Sequence, residues 1–303
     1  MKKVPKKHSH TVIALCLTGI FLAAALFGGT GLVLLKKEQP LPLTASTIFP
    51  LLPELSATRI EGKAAILYDP ANGRILFQKN AREPLPLASI TKLMTAQLLL
   101  TVLDPSVHIP ITNSTLAKHR SEVDKGFKPG DSIPLQDLLR YGLIASSNVA
   151  IESAAESLGD DYIDQMNAIA HNLELSQTTF INPTGLDFAS TSGAYASAYD
   201  VARLAALFYT QHPQYFTATK EPQVSITVGS RTLTSEATAL PLASIPGFIG
   251  AKTGYTDQAG GNLVAVFDIE IGHPLIAVVL GSTREGRFSD IRTLITAARS
   301  ASL

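Results

Sequence analysis

Short β-branched runs stand at both ends of the region after residue 58, and a long stretch of helical pattern separates them. Near its start, KAAILYDPANGRILFQKN holds two apolar runs joined by Asp69-Pro70-Ala71-Asn72-Gly73, which reads as a β-hairpin. Near its end, QVSITV, SRTLT, GFIGAKTGYT, NLVAVFDIE and PLIAVVLGS are broken by turn-forming residues and read as further strands. Between them, from about Leu93 to Gln214, leucine, isoleucine and alanine recur at three- and four-residue spacing. The clearest cases are LQDLLRYGLIASSNVAIESAAESLG, which Asp131 or Ser132 can start with Pro134 following, and YIDQMNAIAHNLEL. A further helix covers Ala198 to Tyr209, and IRTLITAARSASL closes the chain as a helix. Strands at both ends with helices between them predict one α/β domain: a mainly antiparallel sheet flanked by helices, with an inserted helical lobe. Because that sheet must combine early and late strands, sheet and lobe are expected to meet in a cleft.

Ahead of this domain, Lys2, Lys3, Lys6 and Lys7 precede an uncharged run from Thr11 to Leu35, which Lys36, Lys37 and Glu38 follow. The run is long enough to span a bilayer and exceeds the usual apolar core of a cleaved signal peptide. The basic excess before it favours a cytoplasmic amino terminus. The expected organisation is a cytoplasmic tail (1–10), a transmembrane signal-anchor (11–35), a linker with four prolines (36–58) and an extracytoplasmic domain (59–303). Cleavage at the small-residue clusters Ala23–Ala25 or Gly28–Gly31 is the alternative.

Composition narrows the chemistry. Of the 303 residues, 46% are hydrophobic and 17% charged, enough apolar material for a sizeable core. Formal net charge is zero, which leaves no electrostatic case for nucleic acid. The single cysteine, Cys16, excludes an internal disulfide and zinc sites built from several thiolates. It follows Leu15, where a lipidated cysteine needs a small residue, and reads as part of the membrane run. His8 and His10, in the basic tail, are the only close pair among seven histidines, so no metal and no cofactor are expected.

Three short stretches remain. In LPLASITKLMTAQ, Ser89 and Lys92 lie one turn apart in what should be the first turn of a buried helix. Alone, the pair reads as a capping serine and a lysine whose stem snorkels to solvent. ASSNVA places Ser146, Ser147 and Asn148 between two helical runs, and GAKTGYT places Lys252, Thr253 and Gly254 in the strand region. Each is weak by itself. Ser-x-x-Lys, Ser-x-Asn and Lys-Thr-Gly occur once each, in that order, where the cleft is expected, and chance explains that poorly.

With PLPLASITKLMTA, Ser146-Ser147-Asn148, INPTGLD and AKTGYTDQAG, the chain resembles the low-molecular-mass penicillin-binding proteins of the D-alanyl-D-alanine carboxypeptidase type, over roughly Arg59 to Ala298. The resemblance implies a β-lactamase/transpeptidase-like fold. It implies as partners peptidoglycan stem peptides ending in D-Ala-D-Ala and β-lactam antibiotics. Acyl transfer needs a nucleophile, a base and oxyanion donors. By resemblance Ser89 is the nucleophile and Lys92 its base, made partly neutral by burial and by the positive end of its helix. Ser146 would relay a proton to the leaving amine, and Asn148 would hold the substrate amide. Lys252 would supply a fixed positive field, and Thr253 would bind the terminal carboxylate. Gly254 would let the strand edge approach the peptide, and the backbone N–H groups of Ser89 and Tyr255 would form the oxyanion hole.

Against the family pattern, Ser147 stands where glycine is frequent and Val149 where aspartate is frequent. The segment before Lys252 lacks the usual asparagine, for which Thr238 is the substitute at hand. The resemblance leaves three readings open: a D,D-carboxypeptidase, a D,D-endopeptidase cutting cross-links, and a weakly active wall-binding protein; a β-lactamase is a more distant one. The remaining features read as structural. His108, His119, His171, His212 and His273 are expected at the surface or at caps, Asp160-Asp161 at a helix start, and Gly142 in close backbone packing.

Overall fold

The computed structural model describes residues 58–119 and 121–301. The expected tail, membrane span and nearly all of the linker, with His8, His10 and Cys16, lie outside the described residues. Among the described residues no helix is long and apolar enough to cross a membrane.

The chain forms the hairpin β1 (Ala64–Asp69) and β2 (Arg74–Lys79), then the short β3 (Leu85–Pro86) and a 3-10 turn (Ala88–Thr91) that runs into α1 (Lys92–Val102). The lobe follows with β4 (His108–Pro110), α2 (Asn113–Lys118), a 3-10 turn (Glu122–Asp124), β5 (Ser132–Pro134), α3 (Leu135–Ile144), α4 (Asn148–Glu156) and α5 (Tyr162–Asn172). Next come β6 (Thr179–Phe180), β7 (Ala194–Ala196), α6 (Ala198–Gln211), α7 (Pro213–Ala218) and the hairpin β8 (Gln223–Val228) and β9 (Arg231–Glu236). Three long strands, β10 (Phe248–Thr256), β11 (Gly260–Glu270) and β12 (His273–Ser282), precede the closing α8 (Gly286–Ser300).

The early hairpin does join the late strands. The main sheet has the order β10-β11-β12-β1-β2, every pair antiparallel, with Ala64 opposite Leu280 and Tyr68 opposite Ile276. Alternate residues serve two cores, as the period of two demands. Ile66, Val264, Val266, Ile276 and Val278 face the lobe, whereas Leu67, Ala265, Phe267, Ala277 and Val279 face Phe288, Ile291, Leu294 and Ile295 of α8. Both faces are covered, so the central strands are apolar throughout.

Helix α1 sits at the centre of the lobe, in contact with α3, α4, α5 and α6. A helix so enclosed buries residues on every side, and Lys92 through Leu99 are all buried, Lys92, Thr95 and Gln97 among mostly apolar neighbours. Gly142 lets α3 approach α4, since a Cβ there would stand 2.6 Å from Ile151. Strand β10 forms one edge of the sheet, and beside it lies the 3-10 turn that leads into α1.

Three local readings need correction. Ser89 is not in the first turn of α1 but in the preceding 3-10 turn, with Ala88 at φ +49°. Asp131 and Ser132 do not start α3: Ser132–Pro134 pairs with His108–Pro110 as a strand, and the helix begins after Pro134. The closing helix starts at Gly286, ahead of the apolar run that announces it. His119 is at a cap, as expected: it ends α2, its side chain 7% exposed with Nε2 3.4 Å from Glu152 Oε2.

Candidate active site

Three segments meet at the open edge of the sheet: the turn before α1, the turn between α3 and α4, and β10. Lys92, the first residue of α1, has no solvent exposure, and its ammonium has three acceptors for three protons. They are Ser89 Oγ at 2.8 Å, Asn148 Oδ1 at 2.7 Å and the Thr184 carbonyl at 3.0 Å. Burial lowers its pKa to about 7, against the opposing pull of Asp124 and Glu152. Near neutrality a substantial fraction is therefore an amine, able to accept the Ser89 proton across an existing contact.

The second turn carries Ser146 at φ +62°, a conformation a serine keeps only where its surroundings impose it. Ser147 caps α4, its Oγ accepting from Ala150 N–H at 3.0 Å, and Asn148 opens the helix. Ser146 Oγ accepts from Lys252 Nζ at 2.9 Å, and Lys252 also donates to the Thr253 carbonyl at 2.9 Å. Lys252 is 1% exposed. Burial, then Lys92, then Arg287 hold its pKa well below the ordinary lysine value.

On β10, Thr253 Oγ1 donates to Thr238 Oγ1 at 2.7 Å, and the Thr238 amide donates to the Ile144 carbonyl at 3.0 Å. Thr238 thus ties the strand to the end of α3. The side chain Gly254 lacks faces the nucleophile turn: a Cβ there would stand 2.8 Å from Leu87 O and 3.2 Å from Ser89 N. The glycine lets strand and turn close on each other. Tyr255 lies under the Arg284 guanidinium, 3.8 Å from the ring centre.

All eight residues singled out in the three motifs fall on these segments. Several of their partners carry no motif. Arg287, on α8, donates to Gly254 O at 2.6 Å, and its pKa falls to about 10, chiefly through burial. Asn262 joins Pro86 O to the Gly281 amide across the sheet. The INPTGLD loop supplies Thr184 O to Lys92 and is anchored by Asp187 to Thr256 Oγ1 at 3.0 Å. Asp124, within SEVDKG, lies beneath the Ser146 turn and looks in sequence like any loop acid.

Residues 53–284 match the family described as D-alanyl-D-alanine carboxypeptidase, peptidase family S11. The D-alanyl-D-alanine carboxypeptidase DacF of Bacillus subtilis is 32% identical over 206 residues, covering 66% of this chain and 52% of the relative. A D-alanyl-D-alanine endopeptidase of Pseudomonas aeruginosa is 32% identical over 208 residues, covering 66% of this chain and 65% of its own length. The chain thus spans about half to two thirds of the length of these curated relatives. Among solved structures, penicillin-binding protein D2 of Listeria monocytogenes in its ampicillin-bound form superposes with a TM-score of 0.66. It is 30% identical, and the match covers 79% of this chain and 97% of that one. The α/β fold with its antiparallel sheet is therefore that of the penicillin-binding proteins.

Proposed function

This chain belongs to the D-alanyl-D-alanine carboxypeptidase family, and on that premise we propose that it removes the terminal D-alanine from peptidoglycan stem peptides through an acyl-enzyme on Ser89. The observation that carries the reading is Lys92 Nζ, sealed from water and 2.8 Å from Ser89 Oγ.

In this reading the amine of Lys92 takes the Ser89 proton as Oγ attacks the carbonyl carbon of the penultimate D-alanine. The oxyanion is held by the backbone N–H groups of Ser89 and Tyr255. As the C–N bond breaks, Ser146 relays to the departing amine the proton that Lys92 took, which leaves Lys92 neutral again, and Asn148 holds the substrate amide. Water then hydrolyses the ester and frees Ser89. The peptide lies along the open edge of β10 as an added strand, and its carboxylate meets Thr253 and the charge of Lys252. Burial and two neighbouring cations work against that charge, and a substrate carboxylate works for it. β-Lactams acylate the same serine, in keeping with the ampicillin complex of the Listeria relative.

A fluorescent penicillin should label the chain, and Ser89→Ala should abolish the label; a mutant that labels fully would overturn the assignment. The named endopeptidase relative keeps cross-link cleavage as the second reading. Mass spectrometry of digested muropeptides separates the two, by free D-alanine or by cleaved cross-links.

The substrate lies outside the cytoplasmic membrane, so the domain acts there, held by residues 11–35 as an uncleaved anchor. Sequencing the amino terminus of the mature protein tests this. A start near Gly28–Leu32 would replace the anchor with a cleaved signal peptide.

A further inference from the structure

Asp124 ends the 3-10 turn Glu122–Asp124 and is 3% exposed. Its Oδ1 accepts from Ser147 Oγ and, at 3.3 Å, from the Val149 amide, while its Oδ2 accepts from Ser121 Oγ. These three donors are all neutral, so beyond its pull on Lys92 the acid acts on the turn: Ser147 directly follows Ser146, and Ser147 and Val149 flank Asn148.

Ser146 needs such support. Its backbone is in the left-handed region, which glycine enters freely and a serine does not. The contact at stake is its hydroxyl on Lys252 Nζ at 2.9 Å. The residue that follows is held from two directions. Ser147 Oγ accepts from Ala150 N–H as the cap of α4 and gives its own proton to Asp124. A capping hydroxyl bonded only to its helix can turn its proton elsewhere, but one that also donates to a buried carboxylate has both roles filled. Asp124 then fixes the next peptide through the Val149 amide.

We propose that Asp124 is a positioning residue for the proton relay: through Ser147 and Val149 it holds the left-handed Ser146 with its hydroxyl on Lys252. The inference rests on the peptidase reading above and deepens it.

The test is the time course of fluorescent-penicillin acylation of the full chain. Asp124→Asn keeps the shape and removes the charge. It should slow the acylation rate constant about 10- to 100-fold, the scale of a lost charged hydrogen bond, with one label per chain still reached at the end. In a Ser146→Gly background, where no side chain remains to be positioned and the backbone needs no support, the same substitution should cost less than about 3-fold. Ser147→Ala cuts the same link from the other side and should give the same pattern, which covers the case in which Asp124→Asn does not fold.

Equal losses in both backgrounds would make Asp124 a structural residue and overturn the proposal. An unchanged rate constant, with or without fewer chains labelled, would do the same. A wild-type chain that takes no label would instead sink the peptidase reading on which the proposal stands.

Discussion

Lys92 and Lys252 face each other across the cleft, both sealed from solvent, and their surroundings differ in sign. The lobe wall gives Lys92 three acceptors and two acids within reach, Asp124 and Glu152, which pull against burial and leave its pKa about 7. The strand wall gives Lys252 a hydroxyl and a carbonyl, and its charged neighbours are Lys92 and Arg287, which push in the same direction as burial. The first environment suits the base proposed at Lys92, the second the carboxylate-binding role proposed for Lys252. Residue type alone does not separate these roles, because both are lysines in a short motif; the charge of the surrounding shell does.

The comparison is most easily broken at Lys92. Lys92→Arg keeps a cation but cannot act as the amine, so acylation should fall about 10²–10⁴-fold, the range of a lost general base. Near wild-type acylation would mean that both lysines act as charges.

At Lys252 the expected loss is smaller and depends on the ligand. Lys252→Gln should slow acylation by carboxylate-bearing β-lactams about 10- to 100-fold, as a lost charged hydrogen bond would. An analogue whose carboxylate is esterified should be slowed much less, and equal slowing of both would remove the anion-site role.

The smallest effect is one of pH. Acylation by the wild-type chain should rise as pH increases through about 7, because the reactive form of Lys92 is the neutral one. Glu152→Gln removes an anion that favours the ammonium, so the rise should move to lower pH. A rate profile flat across neutrality, or a shift upward in the mutant, would contradict the tuning argument.

The central residues of the cleft could be read before the structure because each sits in a short local pattern. Ser89 and Lys92 are one turn apart, and Ser146 and Asn148 bracket a cap, so chain geometry alone brings each pair together. Hairpin residues 69–73 and the late β-branched runs were legible for the same reason. Asp124, Asn262 and Arg287 were not, since each reaches the site through a contact distant in sequence; Thr184 lies in the quoted INPTGLD, but its carbonyl's contact with Lys92 is equally distant. Arg287 in particular comes from the first turn of the closing helix, which polar residues disguise as loop. Ser132–Pro134 was misread because a three-residue strand offers too little period to see, and its partner His108–Pro110 is equally short.

The place of β1 in the sheet has a consequence for how the protein comes into being. It lies between β12 and β2, so the earliest strand among the described residues gains its second neighbour almost last. The hairpin of β1 and β2 cannot bury both of its faces until β12 and α8 have been made, and pairing over so long a stretch of chain is slow. Chains emerging in order would hold an unfinished apolar sheet open throughout synthesis of the lobe, which is when such surfaces aggregate. Fragments ending before residue 273 would lack the middle strand of the sheet, and β10 would have no frame to hold it against the serine.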